Sequence, residues 1–429
     1  MKKNYIPDPL ILAILLTFIT MALAFFYNYE RFGVFENAVN IISWWNKGIW
    51  DLLAFTMQMV LILLLGYMIA ISPLLERLSD KLIRFTERPV TTAMIVIFTS
   101  LAAGFLNWGL ALVFSAIFVK KIGLQARLKK QKINYPLLGA SAYVCMMVWH
   151  GGLSGSAPLT VATAGHFLEA KTGVVGLERT IFSSMNLLAT VLIFTILPIL
   201  TWIIAKKSIG QIPVFDQKEA VSSISEKQQQ TKLSWMQLTG FLIVIGLIAR
   251  MFITDKGLSF GLNEINLLLF GFVLILLPEA GIFTKTASTA IGSTTGIILQ
   301  FPLYAGIMGL MKQSGLLEGM THWFITISNA DTFPLMAFLS AAIVNLFVPS
   351  GGGQWAVQGP LLTDAATALG VDPAKAVMAL AYGDQLTNMM QPFWALPLLA
   401  ITELKAGQFI RYSLLYMLLG LIIFTFVLL

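Results

Sequence analysis

A chain of 429 residues with 57% hydrophobic and only 11% charged side chains is no soluble globular protein, since a soluble domain carries about 25% charged residues. A net charge of +7 could suit nucleic acid, but the Lys and Arg cluster beside apolar runs, as orientation of membrane helices requires, and no nucleic-acid partner is expected. The single cysteine, Cys145, allows no intrachain disulfide and reads as a small core group.

Lys2 and Lys3 precede the apolar run 10–26. Ala22-Leu23-Ala24 imitates a signal-peptidase site, yet the run is long enough to span and reads as a retained first helix leaving the cytoplasmic side. Residues 32–49, with Trp44, Trp45 and Trp50 near their end, suit the membrane interface. The second helix, 51–72, returns to Arg77, Lys81, Arg84 and Arg88. Residues 91–119 are too few for two crossings, break at Asn107-Trp108-Gly109 and have basic flanks on both sides. They read as a re-entrant hairpin opening on the cytoplasm.

Residues 135–163 cross outward but are interrupted at Trp149–Pro158, and 180–205 return to Lys206 and Lys207. A polar cytoplasmic linker covers 206–234, and 235–254 form an extra helix. The remaining 264–429 repeat the order helix, helix, hairpin (333–362), broken helix (374–402, interrupted over 382–392), helix, with the opposite orientation. The first copy is 1–205. The expected fold is therefore an all-α integral membrane, inverted-repeat secondary transporter with about nine transmembrane helices, two re-entrant hairpins and two discontinuous helices. Chance likeness among Gly-rich apolar segments is the alternative to a true repeat.

The stretch from Asn345 to Trp355, with Pro349, Ser350, Gly351, Gly352 and Gly353 inside it, anchors the reading. Proline and glycines break a helix there, and irregular backbone survives at membrane depth only when buried in protein or lining a polar cavity; a surface loop between short interfacial helices is the other option. Broken helices expose N–H groups with partial positive charge, which draw a carboxylate. Ser350–Gly353 and the Gly151–Ser156 break, including Gly152 and Gly155, would supply amides, with Ser154, Ser156, Ser350 and Thr387 as hydroxyl donors. Asn107, Asn345 and Asn388 could hold a small cation with free carbonyls.

Asp384 is the one acid deep in an expected span and His150 the one histidine at that depth. Asp384 is either a proton carrier or cation ligand, or a structural acid; His150 is either a proton relay or a packing residue. Gly152-Leu153-Ser154-Gly155 fits the short pattern of rhomboid-type proteases. No histidine is placed on a facing helix and no His-Glu-x-x-His occurs, so an enzyme is not expected.

Three stretches resemble the bacterial short-chain fatty acid transporter family: Trp149-His150-Gly151-Gly152-Leu153-Ser154-Gly155-Ser156-Ala157-Pro158-Leu159, Val348-Pro349-Ser350-Gly351-Gly352-Gly353-Gln354-Trp355, and Ala381-Tyr382-Gly383-Asp384-Gln385 through Asn388 to Pro397. The chain is more distantly similar to the ion transporter superfamily, with its dicarboxylate and citrate carriers. The resemblance implies an elevator-type, cation-coupled symporter, usually a homodimer, in a bacterial inner membrane with a cytoplasmic N-terminus. The site would be lined by Asn107, Asn345, Ser350–Gln354, Ser154, Ser156, Thr387 and Asn388, with no cofactor beyond Na+ at Asn107, Asn345, Asp384 and Asn388. The tips depart from the Ser-Asn-Thr of the dicarboxylate carriers, so their sodium ligands do not carry over. Trp108 and Trp355 beside the tips would suit butyrate or acetoacetate. A dicarboxylate carrier and an anion channel are the alternatives.

Overall fold

The computed structural model describes residues 9–51, 53–166, 168–208, 210–215, 233–253, 262–349 and 351–429. The chain opens with α1 (Pro9–Tyr27), the single turn α2 (Tyr29–Phe32), α3 (Val34–Asp51), α4 (Leu53–Ala70) and α5 (Pro73–Ile83). Helices α6 (Pro89–Leu106) and α7 (Trp108–Leu128) follow, then α8 (Tyr135–Tyr143), α9 (Ser156–Val161), the short α10 (Glu169–Thr172) and α11 (Ser184–Lys207). After the linker come α12 (Trp235–Ile253), α13 (Leu262–Leu276), α14 (Ala280–Ile291), α15 (Thr295–Gln313) and α16 (Leu316–Thr326). The chain ends with α17 (Phe333–Asn345), α18 (Gly351–Ala368), α19 (Pro373–Asn388), α20 (Pro392–Thr402) and α21 (Ala406–Leu428).

Two groups of helices emerge from the packing. In one, α15 lies along α1 and α3, and α13 joins α4 to α12. The other gathers α6 to α9, α11 and α17 to α21. Helix α4 packs on α7 where Gly66 meets Gly109.

Helices α6 and α7 fold back on each other, and their feet meet: Gln131 Nε2 donates to Glu87 O at 2.6 Å. Amphipathic α5 lies at that foot, where Lys121 pairs with Glu76 and Asp80. The arms span 18 and 21 residues and are each long and apolar enough to cross a membrane. The expected 91–119 was thus too short, because Lys120 and Lys121 are helical and Lys120 is buried. Two other described helices, α11 and α21, pass the same test, and a bent pair of α4 and α5 would make five.

A second hairpin joins α17 to α18, pinned by Gln358 Nε2 on Ser340 Oγ (2.8 Å) and Gln354 Nε2 on the Ala341 carbonyl (2.9 Å). The three glycines do not form an irregular tip; they open α18 as its first turn. Helix α16, which sequence patterning did not reveal, lies against both arms.

The first broken helix runs through α8, a 3-10 turn over Val144–Met147 and irregular residues to α9. The second is interrupted only at Met389–Gln391, so the expected break over 382–392 is too long. Gly383 lies inside α19 and its lack of a side chain lets α17 pack close: a Cβ there would run into the Phe338 carbonyl oxygen. Pro392 sets the restart, since a first-turn proline sacrifices no hydrogen bond and holds Gln391 extended.

Just past the C-terminal end of α20, Lys120 Nζ reaches Glu403 Oε1 at 2.5 Å and lies 4.1 Å from the Phe215 ring centre. The Lys120 side chain is 4% exposed and that of Glu403 22%. Removing one partner of a buried pair costs about 3–5 kcal/mol, and the water left at Glu403 puts Lys120→Met at the low end. Thermal unfolding of the purified variant should show the loss, with an unchanged midpoint as the contrary result.

Candidate functional site

Each hairpin tip is tied to the broken helix that follows it in sequence. At the first tip, the Leu153 N–H donates to Phe105 O (2.7 Å) and the Trp108 N–H to Ser154 Oγ (3.1 Å). Asn107 Oδ1 caps α7 by accepting from the Leu110 N–H. The approach is close enough that a Cβ on Gly152 would lie 2.6 Å from Phe105 O. At the second tip, Asn345 Nδ2 faces the Asp384 carbonyl (2.8 Å), Thr387 Oγ1 (2.9 Å) and Asn388 Oδ1 (2.9 Å). Gln391 Nε2 returns a bond to Asn345 O at 2.5 Å.

Each tip also touches the other broken helix. Trp108, at the start of α7, meets Trp394 at the start of α20 edge-on, with ring centres 5.1 Å apart. Gly351, at the start of α18, sits on Ser156 at the start of α9 and on the His150 ring. Four helix N-termini thus meet in two pairs, and their positive dipole ends repel unless negative charge lies between them.

His150 and Asp384 join the halves, Nδ1 to Oδ2 at 2.7 Å, with both side chains at or below 1% exposure. Gln385 Oε1 accepts from the N–H groups of His150 (3.1 Å) and Gly151 (3.3 Å). Asn186 holds the Gly151 carbonyl and takes a bond from the Tyr382 hydroxyl, while the Tyr143 hydroxyl donates to Asn388 O. The Ala157 N–H, which can only donate, reaches His150 Nε2 at 3.1 Å. Nε2 therefore carries no proton, and Nδ1 donates to Asp384.

Ser156 Oγ lies 3.3 Å from the same Nε2, so Ser156, His150 and Asp384 stand in the order of an acyl-transfer triad. The lone pair that would take the serine proton is already held by the Ala157 N–H at the shorter distance.

Ser154, Ser156, His150, Gly152 and Gly155 gather at the first break, and Asn345, Thr387, Asn388 and Asp384 at the second tip. Ser350 lies outside the described residues. Gly352 and Gly353 belong to the first turn of α18, and Gln354 turns into its own hairpin. Trp355 is fully buried, and Trp108, Trp394 and Trp149 form a buried aromatic cluster, with Trp149 stacked on His150 at 4.4 Å.

Of the four side chains expected to share Na+, Asn345, Asn388 and Asp384 meet at the second tip, while Asn107 lies at the first. Asn107 Oδ1 caps α7, and Asn388 Oδ1 accepts from Asn345. Gln385, Gln391, Asn186 and Tyr143 were not singled out from sequence; their roles come from partners far along the chain.

The model of the family described as "Short chain fatty acid transporter" matches residues 1–429. The chain belongs to the short-chain fatty acid transporter family. It is 36% identical to a protein of Escherichia coli (strain K12) provisionally named short-chain fatty acid transporter, over 99% of this chain and 96% of that one. A relative of the same name from Haemophilus influenzae is also 36% identical, over 94% and 91%. The crystal structure of the Alcanivorax borkumensis YdaH transporter shares the fold, with a TM-score of 0.51, 17% identity and 98% coverage of both chains. The family is one of transporters, not enzymes, and this member is a multi-pass membrane protein.

Proposed function

We propose that the protein is an elevator-type, cation-coupled carrier of short-chain fatty acid anions, such as butyrate or acetoacetate, in a bacterial inner membrane with its N-terminus in the cytoplasm. One observation carries this reading: the N-termini of α9 and α18 press together at buried His150, a few residues from the buried aromatic cluster. The carboxylate lies at those N-termini, and the acyl tail lies against Trp108, Trp149 and Trp394. At the other pair of N-termini Trp108 and Trp394 occupy the contact, which favours an apolar tail over the second carboxylate of a dicarboxylate.

The hairpins are re-entrant in this reading, and the halves are inverted repeats. The reciprocal contacts Trp108–Trp394 and Gly351–Ser156 support that symmetry. The hairpins and broken helices move together against the group around α3 and α15, with the small-residue contact of Gly66 and Gly109 along the seam.

Counterflow of labelled butyrate into proteoliposomes tests the function. Unlabelled butyrate and acetoacetate should drive it and succinate should not; continuous unitary currents would instead mark a channel. Trp394→Ala should shift preference toward hexanoate over butyrate by about tenfold, since methylene-scale discrimination in an apolar pocket is worth about 1–3 kcal/mol. An unchanged chain-length profile would remove the tryptophans from the substrate path.

A further inference from the structure

Helix α5 carries a face that suits neither water nor hydrocarbon. Four of its eleven residues are charged, Glu76, Arg77, Asp80 and Lys81, which keeps it out of a bilayer core. Leu74 and Leu78, one turn apart, are nonetheless 58% and 46% exposed, and Phe85, just past the helix, is 67% exposed. The helix also turns away from the line of α4 by 61°, so it does not continue that span.

The charges of α5 sort by face. Glu76 and Asp80 turn inward, where Lys121 of α7 takes both, at 3.5 and 3.3 Å, and Ser79 is buried on that side. Arg77 and Lys81 each stand three residues on from an exposed leucine and share its side of the helix. With Arg84 and, at the head of α6, Arg88, they are exposed and have no acid within ion-pair distance among the described residues. The other foot of the hairpin continues the pattern: Leu128 is largely exposed, Lys129 and Lys130 follow it, and Gln131 ties this foot to Glu87 beside Arg88. Basic and apolar side chains sharing one exposed face belong at headgroup depth, with leucines and carbon stems in the acyl boundary and the charges at the phosphates.

We propose that this face, α5 with the two feet of the first hairpin, binds anionic phospholipid headgroups of the leaflet it rests on. Charge complementarity picks the occupant. Lys121 uses both acids of α5, so the outward face presents its cations with only Glu87 against them. A zwitterionic headgroup offers the same phosphate but brings a cation of its own, which the surplus repels; an anionic headgroup brings none. A second copy of this chain would set like charges against one another. The surface is remote from the two tips, and the inference does not depend on which acid the protein carries.

Native mass spectrometry of the purified protein, titrated with phosphatidylglycerol or with phosphatidylcholine, resolves each bound lipid. The tightest phosphatidylglycerol step should be stronger than the tightest phosphatidylcholine step, and should weaken as ammonium acetate is raised. Arg77→Gln, Lys81→Gln and Arg84→Gln together should weaken that step by about fivefold or more, since one cation at an anionic surface contributes about 1 kcal/mol. Phosphatidylcholine binding should not change. Neutralising exposed Lys285, Lys312 and Lys375 to Gln instead removes as much charge and should leave phosphatidylglycerol affinity as it was. Excess glycerol phosphate should not displace the lipid, which separates a headgroup seat from a site for free phosphate.

A nitroxide on Leu78→Cys reports the depth of the face in vesicles of the two lipids, since buried Cys145 is shielded from the label. It should be relaxed more by oxygen, which concentrates among acyl chains, than by a water-soluble nickel chelate. Relaxation mainly by the chelate would put the face in water, and relaxation by neither would put a protein partner on it; either result would overturn the proposal. Equal phosphatidylglycerol affinity in the two triple variants would do the same.

Discussion

Gly351→Ala should abolish butyrate counterflow, by about a hundredfold or more, in a protein that still inserts and purifies as the native one does. A methyl at 351 would lie 2.5 Å from His150 Cε1 and 2.7 Å from Ser156 Oγ. His150 cannot give way, because it is stacked on Trp149 and bonded to Asp384 and Ala157. The start of α18 must lift instead. A displacement of about 1 Å in a site that positions its ligand can cost about a hundredfold.

The cost falls on closure more than on stability, because the arms of the hairpin remain pinned by Gln358 on Ser340 and Gln354 on Ala341. Gly246→Ala is the matched control: a Cβ there meets nothing within 4 Å, and the helix gains by the exchange. Equal counterflow in the two variants would remove Gly351 from the moving contact.

The elements that position the site were legible where a local rule governs them. Asn107 caps a helix that begins at Trp108, and Pro392 restarts one, because capping oxygens and first-turn prolines act within a few residues. The joining of His150 to Asp384 was not legible, since it links positions 234 apart. Sequence marked both as ionisable groups at membrane depth and left their roles open. Gln385 and Gln391 looked like ordinary polar residues near a break; one accepts from two backbone amides of the other half, and the other donates to the tip carbonyl.

Glycine was the least reliable guide. Gly383 suggested an unwound stretch, yet it lies within α19, where α17 approaches too closely for any side chain. Gly351–Gly353 suggested an irregular tip and instead begin α18. A glycine reports that a Cβ is unwelcome. Whether backbone freedom or a neighbour is the reason depends on packing that the chain order does not contain.

Asn345→Asp should be the more revealing loss of function, because it turns a donor into an acceptor at almost constant size. The native amide nitrogen faces three acceptors, the Asp384 carbonyl, Thr387 Oγ1 and Asn388 Oδ1, and is the link between the second tip and α19. A carboxylate in its place has nothing to donate and confronts all three. Each buried group left unsatisfied costs about 1–3 kcal/mol, and an ionised one more. Counterflow should vanish at pH 8, and the unfolding midpoint should fall well below that of Asn345→Ala, which strands the acceptors without adding a charge.

The new carboxyl is better satisfied when protonated, since it then donates one bond to the acceptors around it. Stability gained by the proton is present at low pH and lost as pH rises. The midpoint of Asn345→Asp should therefore rise toward that of Asn345→Ala between pH 8 and pH 5, while Asn345→Ala shows no such relative gain. Parallel pH profiles for the two variants would mean that the amide of Asn345 does not serve as the donor that locks the tip to α19.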